Sequence, residues 1–158
     1  LGSGSSTLYF SKFFGSLTSL ETNQDWYSKM LNEISETVDL KKTDSILRSI
    51  EDENLHDYDV VLIDSGENRA KIARFLVDNK FKGTIFFDNS EWYRKSIKIL
   101  VSQGYFEIPF FGIKPVEDWV SCTSLLIREE DIIKNLNSDW QELPKFASFN
   151  PSNQWDIE

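Results

Sequence analysis

Cysteine and histidine each occur once in the 158 residues, as Cys122 and His56. One thiol excludes an intrachain disulfide and suits a reducing, cytoplasmic compartment. A structural zinc site needs a cluster of Cys and His ligands, so that class closes as well. Positive charge is also scarce: 17 Lys and Arg against 26 Asp and Glu leave a net charge of -9. Nucleic-acid binders need a positive field and membrane surfaces a basic patch, and the chain offers neither. No apolar run approaches the roughly 18 residues of a membrane span, and no signal peptide is visible.

Aromatic and apolar residues are plentiful. The chain is 40% hydrophobic and 14% aromatic, with 12 Phe and 5 Trp, which favours one domain with a packed interior over disorder. Strand-like and helix-like segments alternate. "SLTSLE" (Ser16 to Glu21) predicts a short strand, and "QDWYSKMLNEISE" a helix with Trp26, Met30, Leu31 and Ile34 at helical spacing, capped by Thr22 or Asn23. "TVDL" predicts a second short strand and "TDSILRSIEDEN" a helix capped by Thr43 or Asp44. "YDVVLID" (Tyr58 to Asp64) is a continuous apolar run ending on an acid, the pattern of a strand buried on both faces. "ENRAKIARFLVDNK" reads as an amphipathic helix, "KGTIFFDN" as another buried strand, and "SEWYRKSIKILVSQG" as a helix capped by Ser90 and closed by Gly104. "YFEIPFFGIKP" and "WVSCTSLLIR" then follow with no helix between them, as an antiparallel pair joined through Lys114 to Asp118. The expected fold is α/β, a doubly wound, mostly parallel Rossmann-like sheet ending in that pair.

This organisation covers residues 1–128. Residues 129–158 read as a C-terminal extension, partly irregular, in which "DIIKNL" predicts a helical turn or two. Its Trp140, Phe146, Phe149 and Trp155 suit packing on a partner chain, hence a homo-oligomer.

In open α/β sheets ligands bind beyond the carboxyl ends of the strands. The Gly/Ser stretch "LGSGSST", Glu21, Asp64, and Asp88 with Asn89 all fall on that rim. Order and residues together resemble the class I S-adenosylmethionine-dependent methyltransferases. "LGSGSST" matches the end of that family's Gly-rich turn, Glu21 its ribose-binding acid, and the closing pair its antiparallel finish. "FFDNSEWY" and "IPFFGIKP...WVSCTSLLI" are further similar to bacterial methyltransferase-like members.

The resemblance implies methyl transfer to a small molecule, at a hydroxyl oxygen. It implies that Gly2, Ser3, Gly4, Ser6 and Thr7 cradle the methionine end of the cofactor, that Glu21 holds the ribose, and that Asp64 lies beside the sulfonium. It implies that Asp64, Asp88 and Asn89 orient or deprotonate the acceptor. These three also match, in type and order, the ligands by which catechol-type members hold a divalent ion; the two acids are 24 positions apart, and oxygen ligands suit Mg²⁺ or Ca²⁺. "SGEN" after Asp64 lacks that family's lysine, and a helix is expected almost directly after Asn89, so a metal-free site in which Asp88 orients the hydroxyl stands beside the metal reading. Trp92 and Tyr93 are candidates for an aromatic wall at the acceptor. The family's central first strand would precede Leu1, so upstream residues, or a substitute strand from elsewhere, are expected. "DNSEW" replaces the "DPPY" type of signature of DNA N-methyltransferases, which argues with the charge against a nucleic-acid acceptor.

Each candidate has a structural alternative. The opening stretch is a linker; Asp64 caps the helix beginning near Glu67; Trp92 and Tyr93 pack a helix on the sheet; Trp26 and Tyr27 pack in the core rather than flank adenine. His56 lies in a polar loop without a partner for triad chemistry, and Cys122 sits inside an apolar strand. Two other functions stay open: a non-catalytic binding or interaction module on the same fold, and a nicotinamide-dependent oxidoreductase. The latter's G-x-G-x-x-G fingerprint would need glycine where Thr7 stands.

Overall fold

The computed structural model describes residues 1–66, 68–113 and 118–131. Twelve short elements follow one another: α1 (Ser5–Phe10), β1 (Leu17–Glu21), α2 (Gln24–Met30), β2 (Val38–Lys42), α3 (Ile46–Glu51), a 3₁₀ turn (Leu55–Asp57), β3 (Val60–Ile63), α4 (Arg69–Asp78), β4 (Thr84–Phe87), α5 (Arg94–Val101), β5 (Tyr105–Ile113) and β6 (Val120–Arg128). The strands form two sheets. β1 and β2 pair in parallel; the second sheet has the order β3-β4-β6-β5, with β3 and β4 parallel and β6 antiparallel to both its neighbours. The α/β alternation and the antiparallel finish are those expected from the sequence.

The four-stranded sheet carries the main core. Ile63, Ile85, Phe87 and Leu126 are fully buried on it, against Ile72 and Leu76 of α4 and Ile97 and Leu100 of α5. These helical pairs recur at spacings of three or four, which puts them on one face. β1 and β2 rest on a smaller cluster of Met30, Val38 and Leu40, while Leu20 of β1 reaches the main core.

Side-chain caps set the starts of three helices. Asn23, Ser45 and Asn68 each accept from the backbone N–H three residues on. The cap of α3 is therefore Ser45, not Thr43 or Asp44. Thr43 Oγ1 instead accepts from Ser45 N at 3.1 Å, and this tight turn delays the helix. α5 starts at Arg94, not after Ser90. Ser90 is buried and donates its N–H to Cys122 O at 2.9 Å, while Asn89 takes a left-handed φ of 50°. The intervening residues are thus a turn clamped to β6. Gly104, at φ +84°, ends the segment as expected. α2 stops at Met30, although Ile34 still packs on the smaller cluster.

β1 and β3 do not pair with each other. At their carboxyl ends Leu1 and Gly2 join them: Leu1 N donates to Leu62 O, Asp64 N to Leu1 O at 3.1 Å, and Gly2 N to Leu20 O at 2.9 Å. From Glu129 onward only three residues are described, so most of "DIIKNL" and the aromatic extension lie outside the described residues.

Candidate functional site

The residues singled out in the sequence meet at the carboxyl ends of β1, β3 and β4. Gly2 turns the chain over the end of β3 with φ +96°, and a Cβ there would stand 2.6 Å from the Asp64 carbonyl oxygen, so only glycine fits. Gly4 is extended, and its Cβ position lies 3.8 Å from the Trp26 ring, an ordinary contact. The chain then enters α1, where the buried Thr7 accepts from Gly4 N at 3.2 Å and lies 3.4 Å from Ser19 Oγ. Ser6 lies half-buried on the same first turn.

Glu21 ends β1 and is 7% exposed. One of its oxygens accepts from both Ser3 N (3.0 Å) and Ser3 Oγ (2.6 Å), the other from Asn23 N (2.7 Å). Burial alone would raise its pKa. The bonds from Ser3 and Asn23 more than offset that and hold it below the ordinary carboxylate value. Glu21 is thus the anchor of the Gly/Ser loop. A carboxylate has about four acceptor sites, so a further hydroxyl can join as it stands, and a diol can take the place of the Ser3 hydroxyl.

Trp26 closes this side. It is 39% exposed and donates Nε1 to Ser3 O at 2.5 Å. The core placement expected for it is therefore corrected: its ring lies over the loop because the cap at Asn23 orients the first turn of α2 toward Ser3. Tyr27 does pack on the smaller cluster.

Asp64 and Asp88 are joined by a residue that the sequence reading passed over. Arg69, 5% exposed, donates Nε to Ser65 O at 2.8 Å, Nη1 to Asp88 O, and Nη2 to Asp64 Oδ1 at 3.5 Å. Its guanidinium also lies 4.4 Å from the Tyr93 ring centroid and 5.7 Å from that of Phe87. One signal was available: an arginine in the first turn of a helix opposes the helix dipole, so it is held there by something else. Asn68, not Asp64, caps this helix, which removes the capping role considered for Asp64.

Asp88 Oδ1 accepts from Thr123 Oγ1 at 2.7 Å, so β6 also contributes to the rim. Asn89 is buried just beyond it. Of the aromatic candidates, Trp92 is 62% exposed, whereas Tyr93 is half-buried over Arg69 and Phe87. His56 is exposed and Cys122 is buried, as expected.

A divalent ion fits poorly here. Among the described residues no three His, Cys, Asp or Glu side chains group to hold one. The Arg69 cation, moreover, already pairs with the Asp64 carboxylate, and Thr123 with that of Asp88. The described residues thus give the metal reading of Asp64, Asp88 and Asn89 no support.

Two solved structures share this architecture. A precorrin-6y C5,15-methyltransferase from Geobacter metallireducens GS-15 superposes with a TM-score of 0.54 at 17% identity, over 75% of this chain and 72% of that one. A methyltransferase from Pyrococcus furiosus gives 0.51 at 15% identity, over 77% and 67%. No protein-family model and no curated protein matches the chain. At such identities the likeness establishes the fold alone, an α/β fold that these two methyltransferases share.

Proposed function

We propose that the chain transfers a methyl group from S-adenosylmethionine to a small-molecule acceptor, at a hydroxyl oxygen. One observation carries the reading. On a fold shared with methyltransferases, a loop that requires glycine at position 2 is pinned by a buried carboxylate, Glu21, at the carboxyl end of β1. The cofactor supplies an electrophilic methyl, so the protein has chiefly to position the reactants. In this reading Gly2, Ser3, Gly4, Ser6 and Thr7 line the methionine end, and Glu21 accepts from the ribose hydroxyls as Ser3 Oγ turns away. Asp64, held by Arg69, lies beside the sulfonium. Asp88, held by Thr123 and Arg69, accepts the acceptor's hydroxyl proton with Asn89 alongside, and Trp92 provides the exposed wall.

The acceptor is small and not a nucleic acid, as the net charge of -9 suggests. No helix among the described residues is long and apolar enough to cross a membrane; a cytoplasmic location and a homo-oligomeric state belong to the same proposal. The test is calorimetric titration of S-adenosylhomocysteine into the wild type and Glu21→Ala. Micromolar binding, weakened by about 1–3 kcal/mol in the variant, is expected. A folded chain that binds none overturns the reading.

A non-catalytic module is the second reading. The Glu21 oxygens already receive three bonds from the chain itself, which favours a loop closed in its own right. Binding of NADH instead of the homocysteine ligand would point to the oxidoreductase.

A further inference from the structure

α5 covers less of the sheet than the strands beneath it span. Side chains alternate between the faces of a sheet, so Glu107, Pro109 and Phe111 of β5 and Cys122 of β6 share a face with Tyr105 and Leu126. Tyr105 and Leu126 are buried in the main core with Ile97 and Leu100 of α5. The helix, however, begins only at Arg94. Beyond its first turn the same face is open: Pro109 is exposed, and Phe111 is 69% exposed. A solvent-open cleft of about 430 Å³ lies there, lined by Glu91, Arg94, Glu107, Pro109, Phe111 and Cys122. Its size is within the roughly 300–1,000 Å³ of small-ligand pockets. Thr123, next to Cys122, turns to the opposite face, where it bonds Asp88. The cleft and the Asp88 carboxylate therefore lie on different sides of the sheet.

The charges lining the cleft do not cancel. Arg94 donates two bonds to Glu107, at 2.6 and 2.8 Å, and Glu107 also accepts from Ser124 Oγ at 2.7 Å. That pair is neutral and held in a fixed geometry. Glu91 is left over. Its Oε2 accepts from Cys122 N at 3.0 Å, and its Oε1 is buried with no hydrogen-bond partner. A buried carboxylate oxygen without a donor is costly, and a cationic donor relieves it most. A metal ion is a poor candidate, because among the described residues no three His, Cys, Asp or Glu side chains group to hold one. Phe111 and Pro109 offer an apolar wall instead, and the face of an aromatic ring attracts cations.

We propose that the cleft binds a small organic ammonium ion with an apolar body. The ammonium donates to Glu91 Oε1 and lies against the Phe111 ring, and the body rests on Phe111 and Pro109. Binding tilts the Glu91 carboxylate toward the cleft while Oε2 keeps the Cys122 N–H. The inference does not rest on methyl transfer and needs no cofactor.

The test is an amide NMR titration of the whole chain, without cofactor, with probes of one shape and different charge: phenethylamine, phenethyl alcohol and hydrocinnamate. The amine is expected to shift the amides of Glu91, Arg94, Phe111 and Cys122 and to bind about tenfold more tightly than the alcohol, with the acid weaker still. Glu91→Gln keeps an acceptor for Cys122 N–H but loses the charge. It is expected to weaken the amine about tenfold and to leave the alcohol unchanged. Phe111→Leu, at an exposed position, is expected to weaken the amine about threefold. The probe series on the wild type decides the matter even if Glu91→Gln fails to fold. Equal binding of amine and alcohol, unchanged affinity in a folded Glu91→Gln, or no shift at these amides overturns the proposal. So do amine shifts confined to Asp64, Asp88 and their neighbours, which would assign the amine to the rim site.

Discussion

The two sheets are built to different standards. In the four-stranded sheet each of Ile63, Ile85, Phe87 and Leu126 is sealed by helices, and β5 and β6 pair along nine residues. The β1–β2 pair has five rungs and rests on a cluster of three buried side chains, Met30, Val38 and Leu40, while its Leu20 belongs to the larger core. What ties it to the rest is mostly polar. Leu1 and Gly2 bridge one end; at the other Tyr58 OH donates to Glu53 at 2.7 Å and lies 3.2 Å from Thr18 Oγ1, and Glu53 is paired with Lys41 of β2 at 2.5 Å. A two-stranded sheet is at best marginal alone. The smaller sheet is therefore expected to open at a lower free energy than the larger one, although it carries half of the candidate site.

The largest test of this contrast sets Ile85→Ala against Val38→Ala. The first is expected to cost about 3–4 kcal/mol in global unfolding by urea, and the second about 1–2 kcal/mol, read mainly as faster exchange in β1 and β2. Equal effects on both sheets would show a single cooperative unit. Next, Gly2→Ala forces a side chain onto the Asp64 carbonyl at a left-handed φ. A cost of about 2 kcal/mol is expected, with exchange accelerated in β1 and β2 and little changed in β4 and β6.

The smallest effect is that of Glu21→Gln. The Glu21 pKa is lowered on folding, so its stabilisation is complete above the ordinary value of 4.5 and is lost as pH falls below it. The variant is expected to lose about 1 kcal/mol at pH 7 and to melt less steeply with acid.

Local pattern carried most of the architecture. The apolar runs at Val60–Ile63 and Thr84–Phe87 and the helical spacing of Ile72, Ala73 and Leu76 identify their elements directly. Boundaries were less legible where a side chain bonds outside its own segment. Ser90 has the look of a cap, yet its partners, Cys122 and Ser124, lie more than 30 residues away. The rim acids were readable because strand ends place them, but Arg69 was not. Its value comes from two carbonyls and a carboxylate on different loops, which no spacing reveals. Trp26 was misplaced for the same reason, its partner being the Ser3 carbonyl.

The rim can be followed as one line of bonds: Asn23 to Glu21, Glu21 to Ser3, then through Gly2 and Leu1 to Asp64, from there to Arg69, Asp88 and Thr123. Mechanically these links are loaded in series. A force applied at the Asp88 turn is carried undiminished to the Glu21 end, and the compliance of the whole is that of its softest member. That member is the Leu1–Gly2 span, where three backbone hydrogen bonds carry the rim from one sheet to the other. Stiffening those two residues would stiffen a rim that runs from α2 to β6, and slackening them would let its two ends move independently.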